Sequence, residues 1–80
     1  MHEQAVRTIL AEHCKLTVDM TTLARDRDLY EVGLTSLTTV NVMLAIEDEF
    51  DVEFDDSMLV RTTFQSIDAI IEAVEELLGQ

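Results

Sequence analysis

The feature that most constrains the fold is the last part of the chain, where apolar residues recur at helical spacing behind a serine. One helix face would carry Ile67, Ile70, Ile71, Val74 and Leu78. Ser66 stands where a cap is expected, Asp68 falls in the first turn and Gly79 follows the last one. A helix with one apolar face needs other apolar faces to bury it, so the rest of the chain must supply them.

Two further segments supply such faces. Residues 2–16 are predicted to form a first helix, whose buried side carries Val6, Ile9, Leu10 and Cys14. Residues 36–50 are predicted to form a second long helix. Its buried stripe comprises Leu37, Val40, Leu44 and Ala45, and Val42, Ile46 and Phe50 extend this buried face. Met43 and Leu37 lie toward the edge of the face. This apolar face is wider than a core needs, and we interpret it mainly as core, with one side as a candidate for an external contact.

The connections between these segments lack a helical period. Residues 17–35 are predicted to form a long loop between the first two helices, fixed by apolar side chains at Val18, Leu23, Leu29, Tyr30, Val32 and Leu34. A short third helix is predicted over residues 57–61, capped by Asp55 or Asp56 and ended by Thr62 and Thr63. The expected fold class is therefore all-α: one domain, residues 1–80, forming a small four-helix bundle with three long helices and a short third one.

Gly33-Leu34-Thr35-Ser36-Leu37 joins the long loop to the second helix. Glycine accepts a positive φ, and either Thr35 or Ser36 is a plausible cap for the helix that follows. A cap is the simpler interpretation of Ser36. The functional alternative is that Ser36 carries a phosphorylated group, because a phosphodiester there would meet free backbone N–H groups and the positive end of the helix dipole.

Charge and composition limit the classes of partner. Seventeen acidic residues against five basic ones give a net charge of −12, which opposes binding to nucleic acid or anionic membranes and favours basic proteins. The lone Cys14 fits a reducing compartment, and no apolar run reaches the roughly 18 residues of a membrane span. The first ten residues lack the pattern of a secretory signal, so we expect a cytoplasmic protein, and a monomer.

Neither a metal site nor an active site can be assembled from the sequence. Seven of the ten residues from Glu47 to Asp56 are acidic, but the glycine and glutamate that an EF-hand needs are replaced by Asp56 and Thr62, so the run supports at most loose, low-affinity binding of divalent cations. His13 and Cys14 would point about 100° apart on a helix and are not expected to pair as a nucleophile and base. We therefore expect a protein that is not an enzyme.

Taken together, the helix order, the acidic balance and the serine that opens the second long helix resemble an acyl carrier protein over nearly the whole chain. The matching residues run from Gly33 to Leu37 and continue through Val40, Ala45, Ile46, Glu47, Asp48, Glu49 and Phe50. The resemblance implies that a phosphopantetheinyl transferase attaches 4'-phosphopantetheine from coenzyme A to Ser36, and that its thiol carries an acyl or aminoacyl group as a thioester. The further partners implied are a ligase that loads the cargo and an acyltransferase or synthase downstream. The partner-binding residues implied are Thr35, Leu37, Val40, Met43, Leu44, Glu47, Asp48 and Asp56.

Several positions depart from the fatty-acid carriers of this family. Thr35 replaces the aspartate before the serine, and Thr38, Asn41 and Val60 stand where acids are common. The pattern is more similar to small specialised carriers, including a bacterial group loaded with amino acids by ligases that resemble seryl-tRNA synthetases. The alternative function is an unmodified, acidic helical module that binds proteins.

Overall fold

The computed structural model describes residues 2–14, 19–20 and 22–79 and shows an all-helical chain in that part. Three α-helices, α1 (Glu3–His13), α2 (Ser36–Phe50) and α3 (Ile67–Leu77), are joined by segments that contain short 3₁₀ turns. These turns span Leu29–Val32, Asp56–Met58 and Arg61–Phe64. In the described part of the chain, no helix combines the length and the hydrophobicity that crossing a membrane takes.

α1 buries the face that its periodicity predicts, with Val6, Ile9, Leu10 and Cys14 all in the core. The helix ends at His13, earlier than predicted, because Cys14 has an extended backbone and its N–H caps the helix by donating to the Leu10 carbonyl. Residues 15 and 16, also predicted to be helical, lie outside the described residues.

α3 also matches its prediction closely. Ser66 Oγ accepts a hydrogen bond from the Ala69 backbone N–H at 3.1 Å, and Gly79 follows the helix with φ of 79°. The residues that it buries are Ile67, Ile70, Ile71, Ala73 and Val74. α1 packs against both α2 and α3, so the core lies where the three helices meet.

The long connection between α1 and α2 is tied to the helices by hydrogen bonds as well as apolar contacts. Its described large apolar residues are buried at Met20, Leu23, Leu29, Val32 and Leu34, and half-buried at Tyr30. Leu29 donates its N–H to the Gln65 carbonyl at 2.7 Å, and Asp68 donates its N–H to the Arg25 carbonyl at 3.0 Å. Asp28 Oδ1 accepts the Tyr30 N–H and caps the first 3₁₀ turn. Val18, another predicted core residue, lies outside the described residues.

Two predictions about the fold are wrong. The stripe of Leu37, Val40 and Leu44 faces solvent, and the residues of α2 that reach the interior are Val42 and Ile46, with Met43, Ala45 and Phe50 half-buried. The short helix over 57–61 is replaced by two 3₁₀ turns, because Leu59 has ψ of 59° and Val60 is extended, which breaks the helix between them.

Candidate functional site

Ser36 occupies the first position of α2 with its side chain exposed. Gly33 has φ of 126°, a region that favours glycine, and its N–H closes the preceding 3₁₀ turn by donating to the Leu29 carbonyl. Leu34 is buried directly after it and anchors the chain to the core. The chain therefore returns to the surface at Thr35, just before the helix starts.

Thr35, not Ser36, is the cap of α2. Its Oγ1 accepts the Thr38 backbone N–H at 3.1 Å, while Thr38 Oγ1 accepts the Thr35 backbone N–H at 2.8 Å. This is a capping box in which threonine takes the place usual for glutamate or glutamine. None of the hydrogen bonds found among the described residues uses the Ser36 hydroxyl, and the residue is exposed at the start of the helix.

A groove of about 330 Å³ opens beside Ser36, between α2 and the segment that holds the second and third 3₁₀ turns. Its walls are formed by Tyr30, Ser36, Thr39, Val40, Met43, Leu59, Val60, Arg61 and Phe64. The Tyr30 and Thr39 hydroxyls are joined by a hydrogen bond of 3.3 Å, and the Arg61 guanidinium lies 4.0 Å from the centre of the Tyr30 ring. The groove thus combines apolar side chains with one cation, Arg61, and the Ser36 hydroxyl in the same lining.

Most of the predicted partner-binding residues are exposed. Leu37 is 75% exposed, Val40 49% and Leu44 53%, and these three residues form a continuous apolar stripe along α2 because they lie three and four positions apart. Exposed polar members of the predicted set are Thr35, Asp48 and Asp56. Met43 and Glu47 are half-buried, and Glu47 Oε2 accepts the Phe54 backbone N–H at 2.9 Å, so Glu47 also holds the chain that follows α2.

Six residues that line the groove were not predicted as site residues: Tyr30, Thr39, Leu59, Val60, Arg61 and Phe64. Leu59 and Val60 are exposed apolar residues across the groove from α2, and Tyr30 with Arg61 forms its charged end. Leu59 and Val60 are adjacent apolar residues in the predicted short helix, and this is only a weak indication of a binding surface. The stacking of Arg61 on Tyr30 joins residues far apart in sequence, so no local pattern indicates it.

The acidic run from Glu47 to Asp56 covers the C-terminal end of α2 and the chain after it, at the opposite end of the helix from Ser36. Asp51 adopts the left-handed conformation with φ of 55°, and Val52 donates its N–H to the Glu47 carbonyl. Phe54 is buried against Phe64, while most of the acids remain in solvent. Among the described residues, no three His, Cys, Asp or Glu side chains are gathered closely enough to hold a metal ion.

Cys14 is buried in the core, whereas the adjacent His13 is exposed. Burial raises the pKa of the Cys14 thiol, and a hydrogen bond with the Thr38 side chain opposes the shift only in part. Cys14 is therefore a poorly reactive core thiol.

The chain matches a known protein family and is similar in sequence to known carrier proteins. Residues 4–79 match the protein family described as "Phosphopantetheine attachment site". The chain is 44% identical over 73 residues to the aminoacyl carrier protein of Agrobacterium fabrum, an alignment that covers 91% of this chain and 88% of that protein.

Two solved structures are also similar. The first contains an engineered Bradyrhizobium japonicum glycine:[carrier protein] ligase complexed with carrier protein from Agrobacterium tumefaciens and ATP. Its matching chain has a TM-score of 0.90 and 41% sequence identity. The alignment covers 95% of this chain and 99% of the matching chain. The second contains the Bradyrhizobium japonicum ligase complexed with its cognate carrier protein and an analogue of glycyl adenylate. Its matching chain has a TM-score of 0.71 and 32% identity, with coverage of 92% and 91%.

Proposed function

The chain belongs to the family defined by the phosphopantetheine attachment site, and from this premise we propose that the Ser36 hydroxyl is the attachment point. The main support for this assignment is that different residues cap the helix and offer a hydroxyl at the start of α2. Thr35 caps the helix, and the adjacent Ser36 is exposed and takes no part in the cap. Such a hydroxyl can be modified without loss of a cap.

The start of α2 suits a phosphodiester at this position. The capping box and the first helical hydrogen bonds engage the N–H groups of Thr35, Thr38 and Thr39. The N–H groups of Ser36 and Leu37 belong to the first turn, which has no intrahelical acceptors for them. These groups and the positive end of the helix dipole favour a negative charge here. The attached group would supply the thiol that holds the cargo as a thioester.

The chain supplies an anchor and a docking surface, and catalysis belongs to its partners. A phosphopantetheinyl transferase would transfer 4'-phosphopantetheine from coenzyme A to Ser36, and the tether would then raise the concentration of the cargo near a docked enzyme. We place this single domain, residues 1–80, in the cytoplasm as a monomer, where the unpaired Cys14 remains reduced.

An amino acid is the cargo that we propose. Relatives at 44% and 38% identity are named aminoacyl carrier proteins, and similar carrier chains occur in structures together with a glycine ligase. In this chain the first turn of α2 contains no acidic residue, and the exposed surface beside Ser36 is the apolar stripe. A partner adapted to this surface would rely on apolar contact more than on charge pairs, each of which contributes about 0.2–1 kcal/mol at an exposed interface.

The proposed docking surface comprises the stripe of α2, Leu59 and Val60, with Thr35, Met43, Glu47, Asp48 and Asp56 around them. The two 3₁₀ turns between Asp56 and Phe64 take the place that the four-helix plan gives to its short third helix. A ligase would bind here first and load the cargo onto the thiol of the carrier. A downstream acyltransferase or synthase would then bind the same surface and receive the cargo from the carrier.

Intact mass spectrometry tests the attachment site. The protein is incubated with coenzyme A and a transferase of broad specificity, and its mass is expected to rise by one phosphopantetheine. Ser36→Ala should show no increase, and Ser57→Ala, which alters another exposed serine, should be modified like the wild type. An unchanged wild-type mass would favour the alternative function, an unmodified acidic module that binds proteins.

The cargo is tested on the modified protein. Incubation with a glycine:[carrier protein] ligase, ATP and amino acids should give an aminoacyl thioester that hydroxylamine releases. Incubation with an acyl-[acyl carrier protein] synthetase, ATP and fatty acids is the matched reaction. Loading by the synthetase alone would contradict an aminoacyl cargo and leave the attachment site unaffected.

A further inference from the structure

Arg61 differs from the other arginines of the described chain in having no carboxylate partner there. Arg7 pairs with Glu3 at 2.8 Å, Arg25 with Asp68 at 2.7 Å and Arg27 with Glu31 at 3.9 Å. In a chain with seventeen acidic residues, a cation without such a partner is unusual. Its charge is therefore available to a ligand.

The side chain of Arg61 is nevertheless held in place. Its guanidinium lies 4.0 Å from the centre of the Tyr30 ring, a stacking arrangement that arginine favours. The Tyr30 hydroxyl is hydrogen-bonded to Thr39, so the ring is joined to the first turns of α2. Arg61 is thus oriented relative to the helix that begins with Ser36.

Arg61 and Ser36 line the same groove of about 330 Å³. The first turn of α2 contains no acidic residue, and its cap is the neutral Thr35. The groove therefore has two sources of positive charge, the helix start and the guanidinium, and no carboxylate from that turn neutralises them. An anion of one unit charge suits this position, and guanidinium pairs with phosphate oxygens through two parallel hydrogen bonds.

We propose that Arg61 binds the phosphodiester of the phosphopantetheine attached to Ser36 and fixes the direction in which the arm leaves the protein. This inference rests on the proposed attachment at Ser36. Arg61 is a positioning residue in this scheme: it restrains the root of the arm along the groove wall, toward Leu59 and Val60, while the thiol end stays free to reach a partner.

Phosphorus NMR of the modified protein tests the contact without any partner enzyme. Wild type, Arg61→Gln, Arg61→Lys and Arg27→Gln are each modified and confirmed by intact mass. We expect the ³¹P resonance of Arg61→Gln to narrow and to move toward that of free phosphopantetheine, because the phosphodiester gains mobility. Arg61→Lys should give an intermediate position since it keeps the charge but loses the planar fork. Arg27→Gln removes the same charge from a residue outside the groove lining and should match the wild type.

A second measurement follows the arginine itself. The side-chain Nε–H resonance of Arg61 in the wild type should shift between the unmodified and modified protein, and that of Arg27 should not. If the ³¹P resonances of wild type and Arg61→Gln coincide and the Arg61 resonance does not respond, the proposal is overturned. Loss of ligase loading in Arg61→Gln with an unchanged ³¹P resonance would also overturn it, since Arg61 would then serve a partner. Failure of attachment at Ser36 appears earlier, in the mass, so the two proposals fail separately.

Discussion

α2 and α3 are both rich in apolar residues but distribute them differently. α3 places Ile67, Ile70, Ile71, Ala73 and Val74 in the core and leaves Glu72, Glu75 and Glu76 in solvent. α2 buries only Val42 and Ile46 and exposes Leu37, Val40 and Leu44. Exposed large apolar residues that form a continuous stripe indicate an interaction surface, whereas single ones do not. α3 thus serves the fold, and α2 divides its apolar residues between the core and an exposed surface, the one proposed to dock partners.

The largest expected effect concerns stability. Ile70→Ala removes a fully buried side chain from α3 and should lower the free energy of unfolding by about 2–5 kcal/mol. Leu44→Ala, on the exposed stripe of α2, should change it by no more than about 0.5 kcal/mol. Urea unfolding followed by circular dichroism measures both. Equal losses would mean that the stripe is part of the core, and the contrast between the helices would be lost.

The stripe should matter for binding instead. Leu37→Ala is expected to weaken the affinity of the modified protein for a glycine:[carrier protein] ligase about tenfold, or about 1.4 kcal/mol, because it removes an apolar contact from a wet surface. Isothermal titration calorimetry gives the dissociation constant. Glu75→Ala, on the exposed face of α3, is the control and should leave it unchanged.

The same measurement in Asp48→Asn and Asp56→Asn separates apolar contact from charge. These variants should weaken binding less than Leu37→Ala, and the wild-type affinity should fall only modestly as salt is added. If Asp48→Asn or Asp56→Asn weakened binding more than Leu37→Ala does, charge pairs would contribute more to docking than the apolar stripe.

Two serines at helix starts allow a finer comparison. Ser66 caps α3 with its hydroxyl, whereas Ser36 follows the cap of α2 and takes no part in it. Ser66→Ala should therefore cost about 1 kcal/mol of stability, and Ser36→Ala should cost about 0.5 kcal/mol or less while abolishing modification. Thermal unfolding of both unmodified variants measures this. A comparable loss in Ser36→Ala would show that Ser36 has a structural task.

The sequence predicts α1 and α3 well because each has a single apolar face, and that face can only point inward. Periodicity alone does not decide between two apolar faces on one helix. In α2 the choice depends on where the loop residues Leu29, Val32 and Leu34 join the core, which the helix's own sequence does not contain. Because the helical period cannot choose between the two faces, it predicts Leu37, Val40 and Leu44 to be buried, whereas the structure exposes them.

The candidate site shows the same limit. The Gly33 turn and a cap at Thr35 or Ser36 are local features and were predicted from adjacent residues. The groove, and the contact of Arg61 with Tyr30, depend on the backbone break at Leu59 and Val60, which turns the chain over α2. Leu59 and Val60 have no sequence feature that fixes this break, so a continuous short helix was the natural prediction.

The smallest expected effect concerns the ion pair of α3, a kind of contact that α2 lacks in the described part of the chain. Arg25 links Glu3 of α1, at 3.4 Å, to Asp68 of α3, at 2.7 Å, whereas no ion pair among the described residues involves α2. The hydrogen bond from Arg7 lowers the pKa of Glu3, and the charges of Arg7 and Arg25 contribute to the shift. A carboxyl whose pKa is lowered on folding stabilises the fold above its unfolded pKa, and this contribution disappears as the pH falls through the folded pKa.

Glu3→Gln should therefore lower the melting temperature at pH 7 by less than Ser66→Ala does, since the Glu3 carboxyl is partly exposed and solvent screens its attraction to Arg7 and Arg25. The difference from wild type should shrink as the pH is lowered below the usual range of a glutamate. Glu12→Gln, at an exposed position of the same helix, provides the control and should differ little from wild type at any pH. A difference for Glu3→Gln that persists in acid would show that Glu3 stabilises α1 by packing, because a protonated carboxyl no longer attracts Arg7 or Arg25.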